Sequence, residues 1–100
     1  MAYGLSPETI TQLQKVFSQY GHVSEVILYG SRAKGNYTEG SDIDLTLKGK
    51  NIATADLNNI TDEIDKLLLP YMFDISIFST IKNKDLIDHI KRVGKCIYRK

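Results

Sequence analysis

The sequence predicts an α+β fold in which helices pack on one face of a small mixed β-sheet. Three segments repeat apolar residues at helical spacing, and two others alternate between polar and apolar residues as half-buried strands do. The predicted elements follow one another roughly as αββαβα, an order that suits a mixed sheet covered by helices. At 100 residues the chain is expected to form one domain, residues 1–100.

The first helix and the first strand have clear boundary signals. Ser6 is a good N-cap, Pro7 fits the first helical position, and Gly21 ends a pattern of apolar residues at helical spacing. Residues 25–29 are a short run with β-branched residues, which predicts a strand that ends at Gly30. The chain is therefore expected to begin with a helix and then a strand.

The central segment predicts a second strand and a second long helix. Residues 41–48 alternate between polar and apolar side chains, which is typical of a half-buried strand. A helical turn at 31–34 and a polar loop connect this strand to the first one. Thr54 or Asp56 can cap the helix that follows, and Pro70 stops it.

The last third of the chain predicts one more strand and one more helix. Residues 72–78 alternate again and are expected to form a strand. Ser79 or Asn83 could cap a helix that ends before Gly94, and residues 95–98 predict a short edge strand. With its helices on one face, the sheet would leave its other face open.

The composition limits the classes of protein to consider. A hydrophobic content of 42% with 25% charged residues is ordinary for a soluble globular protein. The formal net charge of +1 argues against a general polyanion-binding protein, so no direct nucleic acid partner is expected. Cys96 is the single cysteine and cannot form an internal disulfide. No apolar run approaches the ~20 residues of a membrane span, so we expect a cytoplasmic protein that does not bind membranes.

An acidic pair on the second strand is the most informative feature of the chain. Asp42 and Asp44 lie two residues apart, so both side chains project from the same face of an extended strand. Asp74 lies on the next strand between the apolar residues Phe73 and Ile75. It suits that position if it faces the same side as the pair. Three carboxylates are then predicted to converge at one place on the open face.

Such a convergence predicts a metal site. Carboxylate oxygens select Mg²⁺ or Mn²⁺, and Mg²⁺ is commonly held by one or two carboxylates together with substrate phosphates. Two ions about 3.5–4 Å apart can hold the attacking and leaving oxygens of an in-line displacement. We expect Asp42 and Asp44 to bridge both ions. Asp74 would bind the ion beside an acceptor hydroxyl and help to remove its proton.

A turn upstream of the acidic pair is suited to phosphate. Gly30 and Ser31 would supply backbone N–H groups and a hydroxyl at the start of a short helix. Arg32 and Lys34 add positive charge, but positions i and i+2 of a helix diverge, so at most one of them is expected to reach a phosphate.

Each feature taken alone also has an ordinary explanation. An Asp-x-Asp pair at a strand end is often a turn or a solvated edge, and Gly-Ser is common in plain loops. The spacing from Gly30 to Gly35 resembles that of a P-loop, but Asn36 and Tyr37 follow where Lys and Ser or Thr are required. A P-loop is therefore excluded.

The combination is more specific than its parts. The chain contains Gly30-Ser31-x-Ala33-x-Gly35, then five residues, then Ser41-Asp42-x-Asp44-Leu45. This pattern resembles the signature of the DNA polymerase β-like nucleotidyltransferase superfamily, and Asp74 matches the third family carboxylate on a later strand. The chain is most similar to the minimal nucleotidyltransferase (MNT) branch, and the resemblance covers nearly its whole length.

The resemblance implies a fold, an activity and a partner. It implies a palm-like nucleotidyltransferase fold that transfers a nucleoside monophosphate from a nucleoside triphosphate to a hydroxyl, with two Mg²⁺ ions and release of pyrophosphate. Small MNT proteins are commonly antitoxins encoded beside a HEPN-domain toxin, on which they can AMPylate a tyrosine. The expected substrate is therefore ATP, and the expected partner is a HEPN toxin in a hetero-oligomer.

The resemblance also implies roles for individual residues. It assigns Asp42, Asp44 and Asp74 to the metals. The residues expected to bind the nucleotide and its phosphates are Gly30, Ser31, Arg32, Lys34 and Ser41.

Two other functions remain open from the sequence. The protein could be an antitoxin that neutralises its partner by binding alone, or a transferase that acts on a small-molecule hydroxyl. Tyr37 is the aromatic residue best placed to touch a nucleotide or an acceptor, because it lies between the phosphate turn and the acidic pair. We expect His22 and His89 to be structural or solvent-facing.

Overall fold

A computed structural model describes residues 2–100 of the chain. The described residues form four α-helices and a four-stranded mixed sheet with strand order β3-β2-β1-β4. The elements are α1 (Pro7–Phe17), β1 (Val23–Tyr29), α2 (Ser31–Lys34), β2 (Ile43–Gly49), α3 (Thr54–Lys66), β3 (Phe73–Ile77), a 3₁₀ turn (Phe78–Thr80), α4 (Lys84–Val93) and β4 (Lys95–Arg99). The predicted α+β fold with a mixed sheet is confirmed.

The pairing of the strands brings the predicted site residues together. β1 is antiparallel to both β2 and β4, whereas β2 is parallel to β3. A parallel pair needs a long crossover connection, and α3 provides it. The register places Asp44 opposite Tyr29 on one side and opposite Asp74 on the other.

The helices α1 and α3 pack against one face of the sheet and form the main core with it. Most of the fully buried core side chains come from both helices and from the two central strands, and Leu5 joins them from the turn before α1. They include Leu13, Phe17, Leu28, Leu45 and Ile60. Because alternate residues of a strand face opposite sides, burying Leu45 on this face places Asp44 on the other.

The ends of the long helices follow the predicted signals only in part. Ser6 caps α1 as predicted, and its hydroxyl accepts a hydrogen bond from the Thr9 amide at 3.2 Å. Helix α3, however, starts one residue after Ala53, and Asp56 accepts a hydrogen bond from the Ala53 amide at 3.0 Å from inside the first turn. The helix ends at Lys66, before Pro70 is reached.

Helix α4 lies on the opposite face from α1 and α3, where an open surface was predicted. Its His89 ring contacts the Tyr29 ring edge-on, with centroids 6.1 Å apart, and Tyr29 is buried. Gly94, at the end of α4, lies close to Ile27. A Cβ atom on Gly94 would be 2.6 Å from the Cγ2 atom of Ile27. Ile27 and Tyr29 give β1 an apolar surface on this side, and α4 removes part of it from water. The carboxylate face is therefore only partly open.

The predicted short edge strand is confirmed as β4, which pairs with β1 at one edge of the sheet. The thiol of Cys96 on this strand is exposed. No helix among residues 2–100 is long and apolar enough to cross a membrane.

Candidate active site

The three predicted carboxylates lie at one end of the β2–β3 pair. Asp44 and Asp74 occupy paired positions on neighbouring parallel strands and therefore face the same side. Asp42 lies just before β2, two residues from Asp44. Asp42 and Asp74 are exposed, whereas Asp44 is partly buried. The strand register thus brings Asp44 and Asp74 together, although they lie 30 residues apart in the sequence.

The environment of Asp44 is unfavourable for a negative charge. Burial raises the pKa of its carboxyl, and the neighbouring Asp74 and Asp42 raise it further, while His89 opposes the shift. A carboxylate that is repelled by two others is stabilised when a cation lies among them. The electrostatics therefore favour a positively charged ligand at this position.

The donor set fits a hard divalent cation that is completed by its substrate. Among residues 2–100, no three Asp, Glu, His or Cys side chains are grouped closely enough to form a ready-made metal cage. Mg²⁺ rarely uses such a cage, because it keeps several waters and is held by one or two carboxylates plus substrate phosphates. Two paired carboxylates beside a phosphate turn match this arrangement.

Gly30 brings the predicted phosphate turn directly against Asp44. Its φ of +76° lies in the left-handed region that favours glycine. A Cβ atom at this position would overlap the Asp44 carboxylate. Only glycine therefore allows the turn and the carboxylate to lie this close.

The Gly30 amide has a partner that the sequence did not predict. It donates a hydrogen bond to Nε2 of His89 at 3.1 Å. His89 was expected to be structural or solvent-facing, and it is partly buried in contact with the phosphate turn. No local signal in the sequence could have identified it, because the contact depends on how α4 packs against β1.

Tyr29 is buried and lies opposite Asp44 on the neighbouring strand β1. Burial raises the pKa of its hydroxyl; a hydrogen bond with Ser76 opposes that shift, and Asp74 and Asp44 reinforce it. The neutral phenol is thereby favoured, so Tyr29 adds no further negative charge to the site.

Arg32 is placed differently from the expected phosphate ligand. Its side chain is 1% exposed. The guanidinium donates hydrogen bonds to the carbonyl oxygens of Tyr3 at 2.9 Å, Glu39 at 3.3 Å and Ser41 at 3.1 and 3.2 Å. Its donors thus point to the protein backbone and not to a ligand.

The other residues of the predicted phosphate set lie around the turn. Ser31 begins α2 and is partly exposed, and Lys34 ends α2 and is exposed. The Ser41 hydroxyl accepts a hydrogen bond from the Thr38 amide at 2.9 Å and so closes the turn before Asp42. Ser31 and Lys34 are accessible to a ligand, while Ser41 shapes the loop.

Tyr37 lies against Arg32, with the guanidinium carbon 5.3 Å from the ring centroid. Together with Tyr71 it lines a cavity of about 450 Å³. Its predicted contact with a nucleotide or an acceptor stays a prediction.

A sheet edge with paired carboxylates beside a glycine turn is the kind of site that phosphoryl-transfer enzymes use. Residues 11–100 match the family model described as "Polymerase beta, Nucleotidyltransferase". The chain is also 35% identical over 79 residues to a Methanocaldococcus jannaschii protein named as a protein adenylyltransferase, which covers 79% of this chain and 71% of the relative. The chain belongs to the polymerase beta nucleotidyltransferase family.

Solved structures agree with this assignment at the level of the fold. A chain in the crystal structure of a toxin–antitoxin complex with AMP-PNP superposes with a TM-score of 0.71 at 16% identity, covering 96% of this chain and 75% of that one. A chain in the complex of a tri-AMPylated Shewanella oneidensis HEPN toxin with its MNT antitoxin gives 0.69 at 13% identity, with coverages of 93% and 71%. The predicted nucleotidyltransferase fold is thereby confirmed.

Proposed function

We propose that this nucleotidyltransferase moves AMP from ATP to a tyrosine hydroxyl of a HEPN-domain toxin and acts as its antitoxin, with Mg²⁺ as the metal. The observation that carries the proposal is the pairing of Asp44 with Asp74 directly beside the Gly30 turn. The pairing supports a site where a triphosphate and an acceptor oxygen meet in front of two carboxylates.

The positions of the carboxylates support their proposed roles. Asp42, Asp44 and Asp74 would hold the metal, which when bound stabilises charge on the attacking and leaving oxygens. The acceptor oxygen forms a bond to the α-phosphorus as the bond between the α-phosphorus and the pyrophosphate oxygen breaks. Asp74 is exposed on the outer strand of the pair and would help to take up the proton of the acceptor hydroxyl.

The phosphate tail would lie over the start of α2. The Ser31 hydroxyl and the backbone amides of this turn would bind phosphate oxygens, and Lys34 would add positive charge from an exposed position. The Gly30 amide already donates a hydrogen bond to His89. The main contribution of Gly30 would therefore be to let the phosphate turn lie close to Asp44. Ser41 would support the site through the turn that precedes Asp42.

The nature of the acceptor is supported by the comparisons. The M. jannaschii relative is named as a protein adenylyltransferase, and a structural neighbour contains a tri-AMPylated HEPN toxin with an MNT antitoxin. Both favour a protein acceptor over a small molecule.

Transfer of label to a partner tests the proposal. The chain is incubated with Mg²⁺, ATP labelled at the α-phosphate and a HEPN-domain protein from the same genome. We expect mass spectrometry to find AMP on a partner tyrosine, and we expect the Asp44→Asn variant to lose at least 100-fold in rate, because a metal ligand is removed. Asp65→Asn, which changes an exposed carboxylate on α3, is the matched control and should label normally.

The other outcomes identify the competing functions. Neutralisation of the toxin by Asp44→Asn as efficiently as by the wild type, with no label on the partner, would show an antitoxin that works by binding alone. Label on a small-molecule hydroxyl and none on the protein would show a transferase that acts on small molecules.

A further inference from the structure

Arg32 connects three separate segments around the candidate site. It lies in α2, directly after Ser31, and is the largest of the fully buried side chains. One amino group of its guanidinium holds the N-terminal turn through the Tyr3 carbonyl. The rest of the guanidinium holds the loop before β2 through the carbonyls of Glu39 and Ser41.

Two aromatic rings enclose the same guanidinium. Its central carbon lies 5.3 Å from the Tyr37 ring centroid and 5.0 Å from the Tyr71 ring centroid. Cation–π contacts at this distance are favourable and are stronger when water is excluded. Tyr71 lies just before β3, so Arg32 also contacts the segment that leads to Asp74.

The loop that Arg32 holds has few other restraints. Most of residues 35–42 are exposed. The hydrogen bonds within the loop are those that join Thr38 and Ser41. The carbonyl of Ser41, which accepts two of the Arg32 hydrogen bonds, belongs to the peptide group that ends at Asp42. A restraint on Ser41 therefore restrains the backbone of the first carboxylate.

We propose that Arg32 is a positioning residue, which sets the distance between the phosphate turn at Ser31 and the metal ligand Asp42 by holding the loop that joins them. This inference rests on the proposed function, since it takes Asp42 as a metal ligand. Arg32 itself contacts neither substrate nor metal in this role.

Lysine cannot replace arginine in this position. The guanidinium presents five N–H donors in a planar fork and stacks on aromatic faces, whereas an ammonium is a compact point charge. Arg32→Lys therefore keeps the positive charge but loses most of the hydrogen bonds to the loop. This substitution separates a positioning role from a simple need for charge near the phosphates.

The first test measures metal binding without nucleotide. Mn²⁺ is titrated into the wild type and into Arg32→Lys. Arg99→Lys is the control, since Arg99 is an exposed arginine on the far edge strand β4, where it pairs with Glu25 of β1. We expect Arg32→Lys to bind Mn²⁺ about 10- to 100-fold more weakly, as is typical when a support of a metal ligand is removed. The control should bind as the wild type does.

The second test follows the loop itself and needs no metal. In hydrogen exchange, the amides of Thr38 and Ser41 should exchange at least about tenfold faster in Arg32→Lys than in the wild type, because the loop opens more often. Tyr37→Leu keeps the guanidinium and removes one ring, so it should give a smaller acceleration. It also provides a milder variant should Arg32→Lys fold poorly.

The results distinguish the alternatives. Unchanged Mn²⁺ affinity with weakened binding of metal-free ATP in Arg32→Lys would make Arg32 a phosphate ligand and overturn the inference. Unchanged loop exchange would overturn it as well. A wild-type protein that binds no Mn²⁺ would instead overturn the metal site of the proposed function, while the exchange experiment would still decide whether Arg32 holds the loop.

Discussion

Asp44 is partly buried and has two carboxylates as neighbours, so its negative charge destabilises the folded protein at the candidate site. The raised pKa of its carboxyl comes first from burial and then from Asp74 and Asp42. Gly30 shows the same compromise in its backbone, because its left-handed conformation and its closeness to Asp44 both demand glycine. Features of this kind are common at functional sites, where local stability is given up for geometry.

Asp44→Asn is predicted to stabilise the metal-free protein at neutral pH. Because the folded-state pKa is raised, the folded protein holds the proton more tightly than the unfolded chain does. The resulting penalty is absent below the unfolded pKa and complete once the pH has risen above the folded pKa. Thermal denaturation without divalent ions should therefore show a Tm for Asp44→Asn a few degrees above the wild type at pH 7, and the gain should shrink as the pH falls. Asp65→Asn should show no such trend, and an equal or lower Tm for Asp44→Asn at pH 7 would contradict the prediction.

Alanine substitutions at three glycines separate backbone strain from steric overlap. Gly30 and Gly35 both have positive φ, but a Cβ meets a carboxylate only at Gly30, and Gly40 has neither constraint. We predict almost no change in the free energy of unfolding for Gly40→Ala, a loss of about 1–2 kcal/mol for Gly35→Ala, and a larger loss for Gly30→Ala. Urea denaturation measures all three. Equal losses at Gly30 and Gly35 would show that Asp44 moves aside without cost.

At the scale of the elements, α4 decides how much of the carboxylate face is open. It covers Ile27 and Tyr29 of β1 and brings His89 to the Gly30 amide. The neighbouring β3 carries Asp74, which stays exposed. The helix therefore supports one side of the site and leaves the β3 side free for an acceptor.

The start of α4 offers a test of this support. The Asn83 side chain accepts hydrogen bonds from the amides of Asp85 at 2.9 Å and Leu86 at 3.2 Å. Asn83→Ala is predicted to cost about 0.5–2 kcal/mol of unfolding free energy, and faster hydrogen exchange should appear along α4 and at the Gly30 amide. Asn83→Asp keeps the cap and should remain close to the wild type. Loss of stability without any change at Gly30 would show that His89 is held independently of the cap.

At the scale of the whole molecule, the two faces of the sheet have different tasks. One face, with α1 and α3, contains the main core. The other holds the carboxylates and is only partly covered. Met72, which lies two residues before Asp74, is 74% exposed, so the surface beside the acceptor side of the site is accessible. A protein acceptor, as we propose, would approach from the β3 side.

Much of the fold could be predicted because its signals are local. The alternation along β2 and β3 determines which side chains face the core, and so it places Asp44 and Asp74 on one face before any contact is known. The Asn83 and Ser6 caps also need only neighbouring residues. The start of α3 was less predictable, since Ala53 is a poor cap by type and serves only because Asp56 reaches back to its amide.

The sequence by itself determined the family, the phase of the carboxylates on their strands and the glycine turn, because these depend on residue type and short spacing. The tertiary structure alone decided that His89 meets the Gly30 amide, and that Arg32 turns to the protein interior. The first contact joins residues 59 positions apart in the chain. The second joins α2 to the N-terminal turn and to the loop that follows α2. Such contacts depend on how α4 and the loop before β2 pack, and no periodic pattern of residues records that packing.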